Sequence, residues 1–394
     1  MLLQAKKQKS IVGLDIEGGS AAAAEVRANG AVELVRHGVV SLDPGAFREG
    51  EVGDPEALGE SLKELFAANK LSRNVRLGIA NQRVAVRVLR LPDLEGDELE
   101  AAIRFQAQDS IPMPLEQAVL DWQVVSRSEG EDGPRHVDVV AVAARRDMLT
   151  AVLDALHRAG LRPVGIDHSA FGMIRALKDG GHTAVGAAGY VSAPNAADPV
   201  GGEGASIAAG GLDDPAATAA GGIAETASMP PPARLYCNLA DVTNLAVAHD
   251  GACLFTRVSP FGLEAITQRL AERREMTLEH ARHWLGRVGL EPEVEAIDGD
   301  PELVRAAREV LTEGAAKLAD ELRMSLDFYA AQDASVPVDG IVACGPGTTI
   351  PGLAERLQEG IGRPFEIARP AALGALDDTL AARLTLPFGI ALED

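Results

Sequence analysis

Positive charge, aromatic residues, cysteines and long apolar runs are all scarce in this chain, and each shortage excludes something. Of 394 residues, 37 are Lys or Arg against 58 Asp or Glu, a formal charge of −21. A surface of that sign repels nucleic-acid phosphates and anionic headgroups, so neither nucleic acid nor a lipid surface is an expected partner. Phe, Trp and Tyr together make up 4% of the chain, too little for a base-stacking platform. The three cysteines, Cys237, Cys253 and Cys344, are odd in number and far apart. They fit neither a disulfide framework nor a metal knuckle, and each lies in an apolar stretch and reads as a buried thiol. No apolar run approaches the roughly 18 residues of a membrane span. Only Ile11 to Leu14 are apolar between the N-terminal lysines and Asp15, too short for a signal-peptide core. These shortages predict a cytoplasmic protein with no direct membrane insertion, any membrane association coming through a partner.

What is present is ordinary globular material, 46% hydrophobic, in a length that allows two or three domains. One stretch stands apart. Asp179 to Ala233 holds no Lys or Arg and is dominated by Gly, Ala, Pro, Ser and Asp, a composition that cannot bury enough apolar area to offset its ordering entropy. It reads as a flexible linker or insertion over 179–233, dividing the chain into 1–178 and 234–394.

The two parts begin alike. IVGLDI, a small-residue turn, AAAAEV, the hairpin signal Asn29-Gly30 and AVELVRHGVV form a three-stranded meander. LYCNLA, a turn near Asp241, TNLAVA, the hairpin signal Asp250-Gly251 and ACLFTRV form a second, with Asn238 standing where Asp15 stands in the first. This duplication predicts an α/β fold of two related lobes, each with a mixed sheet, facing one another across a cleft. Asp54 before Pro55 and Asp300 before Pro301 are helix starts, the second helix running to about residue 330. An α-β-β-α-β order over about 97–167 reads as an α+β subdomain inserted in the first lobe. The expected division is thus 1–92 first lobe, 93–168 inserted subdomain, 169–178 return to the first lobe, 179–233 linker and 234–394 second lobe.

Three short segments could meet at the cleft. In DIEGGS, a strand ending at Asp15 turns through Gly18, Gly19 and Ser20, whose backbone N–H groups suit phosphate oxygens, while Asp15 could hold Mg²⁺ through water. The competing reading is a plain glycine hairpin, and Glu17 adds a negative charge in its favour. In NLADVTN, Asn238, Thr243 and Asn244 offer hydrogen bonds, again with a plain hairpin as the alternative. In CGPGTTIPG, a strand leads through Gly345, Gly347 and Thr348 to a helix N-terminus, although Pro346 removes a donor. His280 and His283 lie three apart without the pattern of a zinc motif and read as a solvated helix face.

Longer blocks carry a resemblance. IPMPLEQAVLDWQVV and VDVVAVAARRDMLTAVLDALHRAGLRPVGIDHSAFGMIRAL, with DGACLFTRVSPFGLEAIT and ELRMSLDFYAAQ, closely resemble the PilM family of type IV pilus assembly proteins, over nearly the whole chain except 179–233. That family is similar to the cell-division protein FtsA and shares the actin/Hsp70-like two-lobed ATPase fold. The resemblance implies a cytoplasmic adaptor that binds ATP with Mg²⁺, works with other pilus assembly proteins, and captures the N-terminal tail of a PilN-like inner-membrane protein between the first lobe and the inserted subdomain. It also makes the three segments the phosphate-one, phosphate-two and adenosine motifs, with Glu321 on the long helix near the nucleotide. Here the family pattern is eroded. Glu17 replaces a glycine, Ala22 a lysine, Asn238 an aspartate, Pro346 a glycine, and Met324 a basic residue. The expectation is therefore a degenerate site that binds ATP weakly or not at all, in a scaffold rather than an enzyme. An active actin-like ATPase, and an FtsA-like or secretion-system scaffold, are the alternatives.

Overall fold

A computed structural model describes residues 10–29, 31–48, 50–127, 135–178, 181–184, 232–332 and 335–392. Residues 185–231, most of the expected linker, lie outside the described residues, as do residues 128–134.

The first meander consists of β1 (Ile11–Ile16), β2 (Ser20–Asn29) and β3 (Ala31–Ser41), followed by the small ribbon β4 (Phe47–Arg48) and β5 (Glu51–Val52). Helix α1 (Pro55–Ala68) starts at the expected cap, where Asp54 Oδ1 accepts from the backbone N–H groups of Glu56 and Ala57. Strand β6 (Asn74–Ile79) then runs parallel to β1, and β10 (Arg162–His168) parallel to β6. The sheet order is β10-β6-β1-β2-β3. Between them come β7 (Val84–Pro92), α2 (Gly96–Ser110), β8 (Ala118–Arg127), β9 (His136–Arg145) and α3 (Arg146–Arg158). Strands β7, β9 and β8 form a separate three-stranded sheet, whose apolar face (Leu89, Leu91, Val137, Val139) is covered by Leu99 and Ile103 of α2.

Two expected boundaries move. β7, placed in the first lobe by the 92/93 division, pairs along its whole length with β9 of the insert. β10, expected inside the insert, belongs to the first lobe's sheet, and α3 packs its Val152, Ala155 and Leu156 into that lobe's core. Strand spacing along a chain does not reveal which sheet a strand joins when an insert leaves and re-enters the same lobe.

Helix α4 (Ser169–Leu177) and strand β11 (Gly181–Ala184) follow. β11 lies at the start of the segment expected as linker, yet it pairs antiparallel with β16 (Phe365–Arg369). The second lobe repeats the first with β12 (Ala233–Leu239), β13 (Thr243–His249) and β14 (Ala252–Ser259) as its meander. Helices α5 (Leu263–Arg274), α6 (Leu278–Val288) and α7 (Pro301–Ala330) come next, then β15 (Val338–Cys344), α8 (Leu353–Ile361), β16 and α9 (Asp378–Ala391). Its sheet order, β11-β16-β15-β12-β13-β14, matches the first lobe's with β11 added at the edge. Pro351 precedes α8, and Gly352, at φ +76°, is the cap.

Helices α4 and α9 join the lobes. Ala170, Met173, Leu386 and Ile390 share one buried cluster with Tyr236, Ala246 and Val342 of the second sheet, while Leu384 and Phe388 of α9 pack on Ala22, Ala24 and Val26 of β2. The approach needs a glycine at Gly13 of β1, where a Cβ would lie 1.9 Å from the Pro387 carbonyl oxygen of α9. All three cysteines are buried free thiols, as expected.

Candidate functional site

The turns that end β1 and β12 face each other across the lobe boundary. The register places Asp15 opposite Ala22 and Asn238 opposite Asn244, each in the penultimate residue of its strand. Asp15, Glu17, Gly18, Asn238, Asp241 and Asn244 line one cavity, together with Glu264 of α5. The Gly19 N–H donates to Asp241 Oδ2 at 3.1 Å, so the first turn's backbone donor meets a carboxylate of the second. Asp241 Oδ1 accepts from Arg282 of α6 at 3.3 Å. The backbone around Asp241 is fixed in turn, because the Leu263 N–H at the start of α5 donates to Ala240 O at 2.8 Å.

Below the first turn lies a guanidinium that no motif announced. Arg383 of α9 pairs with the Glu17 carboxylate, stands 3.9 Å from Asp15 Oδ2, and donates to Ser20 O at 3.0 Å and Ser20 Oγ at 2.6 Å. Its side chain is only 10% exposed, and those of Asp15 and Glu17 are 8% and 9%. Burial pushes Glu17 up to about 8 and Asp15 up to about 6, against the attraction of Arg383, and the neighbouring Asp241 charge adds to the rise in both. Burial of Glu17 and Asp15 beside the one guanidinium of Arg383 therefore favours their protonated forms near neutrality. One signal for Arg383 was available: it is the single charge between Thr379 and Leu392, and a charge in an otherwise apolar helix needs a partner.

The remaining expected residues have local roles. Gly345 adopts φ +90°, and a Cβ there would lie 2.3 Å from Asn238 Oδ1. A Cβ on Gly347 would meet the Leu239 side chain at 2.7 Å. Both glycines thus let the β15 turn press against β12. Thr348 Oγ1 donates to Gly345 O at 2.8 Å, and Thr243 Oγ1 to Phe261 O at 2.8 Å. Glu321 accepts from Ser259 Oγ at 3.0 Å and pairs with Arg257 at 3.6 Å, and it does not line the cavity between the turns. Asn244 is fully buried, and its side-chain amide has no hydrogen-bond partner among the described residues.

A nucleoside triphosphate with Mg²⁺ does not fit between the turns in this arrangement. The cavity measures about 20 Å³, room for a water molecule. Asp15 is drawn to Arg383, and the Gly19 donor is engaged by Asp241. Among the described residues no group of three or more His, Cys, Asp or Glu side chains could hold a metal.

A larger cavity, about 610 Å³, opens between the inserted sheet and the first lobe. Five consecutive residues of β8, Asp121 to Val125, line it, with Val140 and Val142 of β9, Ile166 to His168 of β10, Phe171 of α4 and Gly251 to Cys253 at the β13–β14 hairpin. Both β8 and β10 are outer strands of their sheets. Inside, Arg175 pairs with Asp167. His168 is buried with its pKa pushed down to about 4, and its Nδ1 accepts from the Ala170 N–H at 3.1 Å.

Two lobes with duplicated mixed sheets, an insert in the first and paired helices between them define the actin/Hsp70-like fold. The family model described as "Type IV pilus assembly protein PilM" matches residues 13–183 and 239–385. The chain belongs to that family. Among solved structures it is similar to one titled "PilM-PilN type IV pilus biogenesis complex", at 22% identity, 98% coverage of both chains and TM-score 0.70. It is also similar to the ethanolamine utilization protein EutJ from Carboxydothermus hydrogenoformans (13% identity, 98% and 90% coverage, TM-score 0.48). A third similar structure is MreB 5 of Spiroplasma citri bound to AMPPNP (11% identity, 98% and 95% coverage, TM-score 0.45). Among the described residues no helix is long and apolar enough to cross a membrane.

Proposed function

We propose that this chain is a cytoplasmic scaffold of type IV pilus assembly that captures the N-terminal tail of a PilN-like inner-membrane protein, is drawn to that membrane by it, and carries a degenerate nucleotide site. The observation that carries the reading is the groove between the insert and the first lobe. It is lined mostly by apolar side chains and bordered by the outer strands β8 and β10. An outer strand offers unpaired backbone groups, so an extended tail adds to it by main-chain hydrogen bonds while apolar pockets read alternate side chains. The similarity to a PilM chain solved in a complex with PilN supports the choice of partner. Asp15, Gly18, Gly19, Ser20, Asn238, Thr243, Asn244, Glu321, Gly345, Gly347 and Thr348 are, on this reading, the remnant of a nucleotide cleft, with Asp15 the remnant of a Mg²⁺ site.

Fluorescence anisotropy with the labelled N-terminal tail of the cognate PilN-like protein tests this. Binding is expected, equal with and without Mg-ATP. Val124→Glu should weaken it at least roughly tenfold, since a charge would enter the apolar wall. That residue is 37% exposed, so folding is left intact. No binding of the tail under either condition would sink the proposal.

A further inference from the structure

We infer that Asp241 acts as an intramolecular anion seated in the β1–β2 turn, clasping the two lobes together and occupying the place a nucleotide phosphate would take. Four observations converge. The carboxylate is 6% exposed and reaches across the lobe boundary to the Gly19 N–H, a residue 222 positions away in sequence. Its second oxygen is held by Arg282. The backbone of its own turn is pinned to the start of α5, where the Leu263 N–H donates to Ala240 O and the Glu264 N–H to Asp241 O. The side chain therefore has a fixed base and two directed contacts.

The glycines of the first turn serve this contact. A Cβ on Gly19 would lie 2.5 Å from the Arg282 guanidinium, and one on Gly18 would lie 2.8 Å from the Glu264 carboxylate. The absence of side chains at both positions lets the second lobe press its charged groups against the turn. That is the close approach to backbone donors that a bound phosphate also needs. Here the approach is already taken by the protein's own residues, and the space left is about 20 Å³.

Charge acts in the same direction. Asp15, Glu17, Asp241 and Glu264 all line the cavity, with Arg383 beneath the turn and Arg282 behind Asp241. An incoming phosphate must displace the Asp241 carboxylate from its donor and enter a cavity lined by three further acidic side chains. Removing Asp241 frees the donor and deletes a negative charge at once. The tail-binding groove lies elsewhere, so this inference does not rest on tail binding.

The test compares wild type with Asp241→Ala and Asp241→Asn on the full chain. In hydrogen exchange followed at single amides, Gly19 should be protected in wild type and should lose at least roughly tenfold of that protection in Asp241→Ala. Asp241→Asn keeps an acceptor and should retain part of it. In calorimetry with Mg-ATP, Asp241→Ala should bind at least roughly tenfold more tightly than wild type, the effect of about one charged hydrogen bond. Equal Gly19 exchange in wild type and both variants would overturn the clasp. Equal Mg-ATP affinity in wild type and Asp241→Ala would overturn its role in excluding phosphate. Tail anisotropy on the same samples separates the two proposals, because wild type that fails to bind tail while showing the Gly19 effect refutes only the scaffold reading.

Discussion

Replacing Arg383 with Met tests the electrostatics of the cleft most directly. The side chain is nine-tenths buried and is the cation that compensates Glu17 and Asp15 from below. Methionine fills much of the same volume, so the change removes charge and hydrogen bonds more than packing. Breaking a buried pair by deleting one partner costs about 3–5 kcal/mol, because the remaining charge is left without compensation. Over a chain of this size, 4 kcal/mol corresponds to a fall in Tm of roughly 5 °C. The loss must also depend on pH. Without Arg383 the attraction that restrains both carboxyl pKa values is gone, so in the variant they rise further above the 6 and 8 of wild type. Near pH 5.5 the carboxyls are protonated in the folded variant and little charge is stranded; near pH 8.5 folding must hold the proton against solution or bury the charge. Thermal and urea denaturation across pH 5.5–8.5 should therefore show a deficit that grows with pH. Adding Glu17→Gln should recover about half of it at the alkaline end, since one of the two stranded carboxylates is then neutral. A deficit under about 1 kcal/mol, or one that is constant with pH, or the absence of recovery in the double variant, would refute the buried cluster.

In wild type, Glu17 and Asp15 have folded pKa values above their ordinary ones, so the folded state binds more protons than the unfolded; their contribution is complete below about pH 4 and is lost as pH rises towards 8. Urea midpoints should decline over that window, and Glu17→Gln should flatten the decline; a flat wild-type profile would contradict it. Gly13→Ala places a Cβ 1.9 Å from Pro387 O and 2.7 Å from Ala391 N, so α9 must lift from β1 at about 3 kcal/mol or more. Gly286→Ala, in α6 with nothing within 4 Å of the new methyl, should instead stabilise by about 0.5–1 kcal/mol; urea denaturation that fails to separate the two would count against the packing described.

Local chemistry explains which parts of this structure were legible in the sequence. The repeated meander was readable because Asn29-Gly30 and Asp250-Gly251 mark hairpins and apolar strands flank them; the equivalence of Asp15 and Asn238 came with it. Helix starts at Asp54-Pro55 and Asp300-Pro301 were readable because caps are local. The sheet membership of β7 and β10 was not, since it depends on partners 44 or more positions away, such as His136 opposite Pro92. Gly345 and Gly347 looked like ligand-facing glycines, whereas their missing side chains accommodate Asn238 and Leu239. Arg383 escaped notice because its partners lie more than 360 residues earlier.

The acidity of the chain acquires a local meaning in the cleft. Spread over a surface, a charge of −21 affects solubility and disfavours polyanions. Within the lobe boundary, Glu17 has brought a carboxylate into the turn, Arg383 holds it there, and Asp241 meets the neighbouring backbone donor. A ligand seated in the cavity between the two turns would touch both lobes. Here side chains of the protein form the bridge, so apposition of the lobes requires no ligand. The groove proposed for the tail has walls from the insert, the first lobe and the β13–β14 hairpin of the second. A scaffold that must present those three walls together at all times is better served by an internal bridge than by one that leaves when nucleotide is scarce, and this is the physical reason tail binding is expected to be indifferent to Mg-ATP.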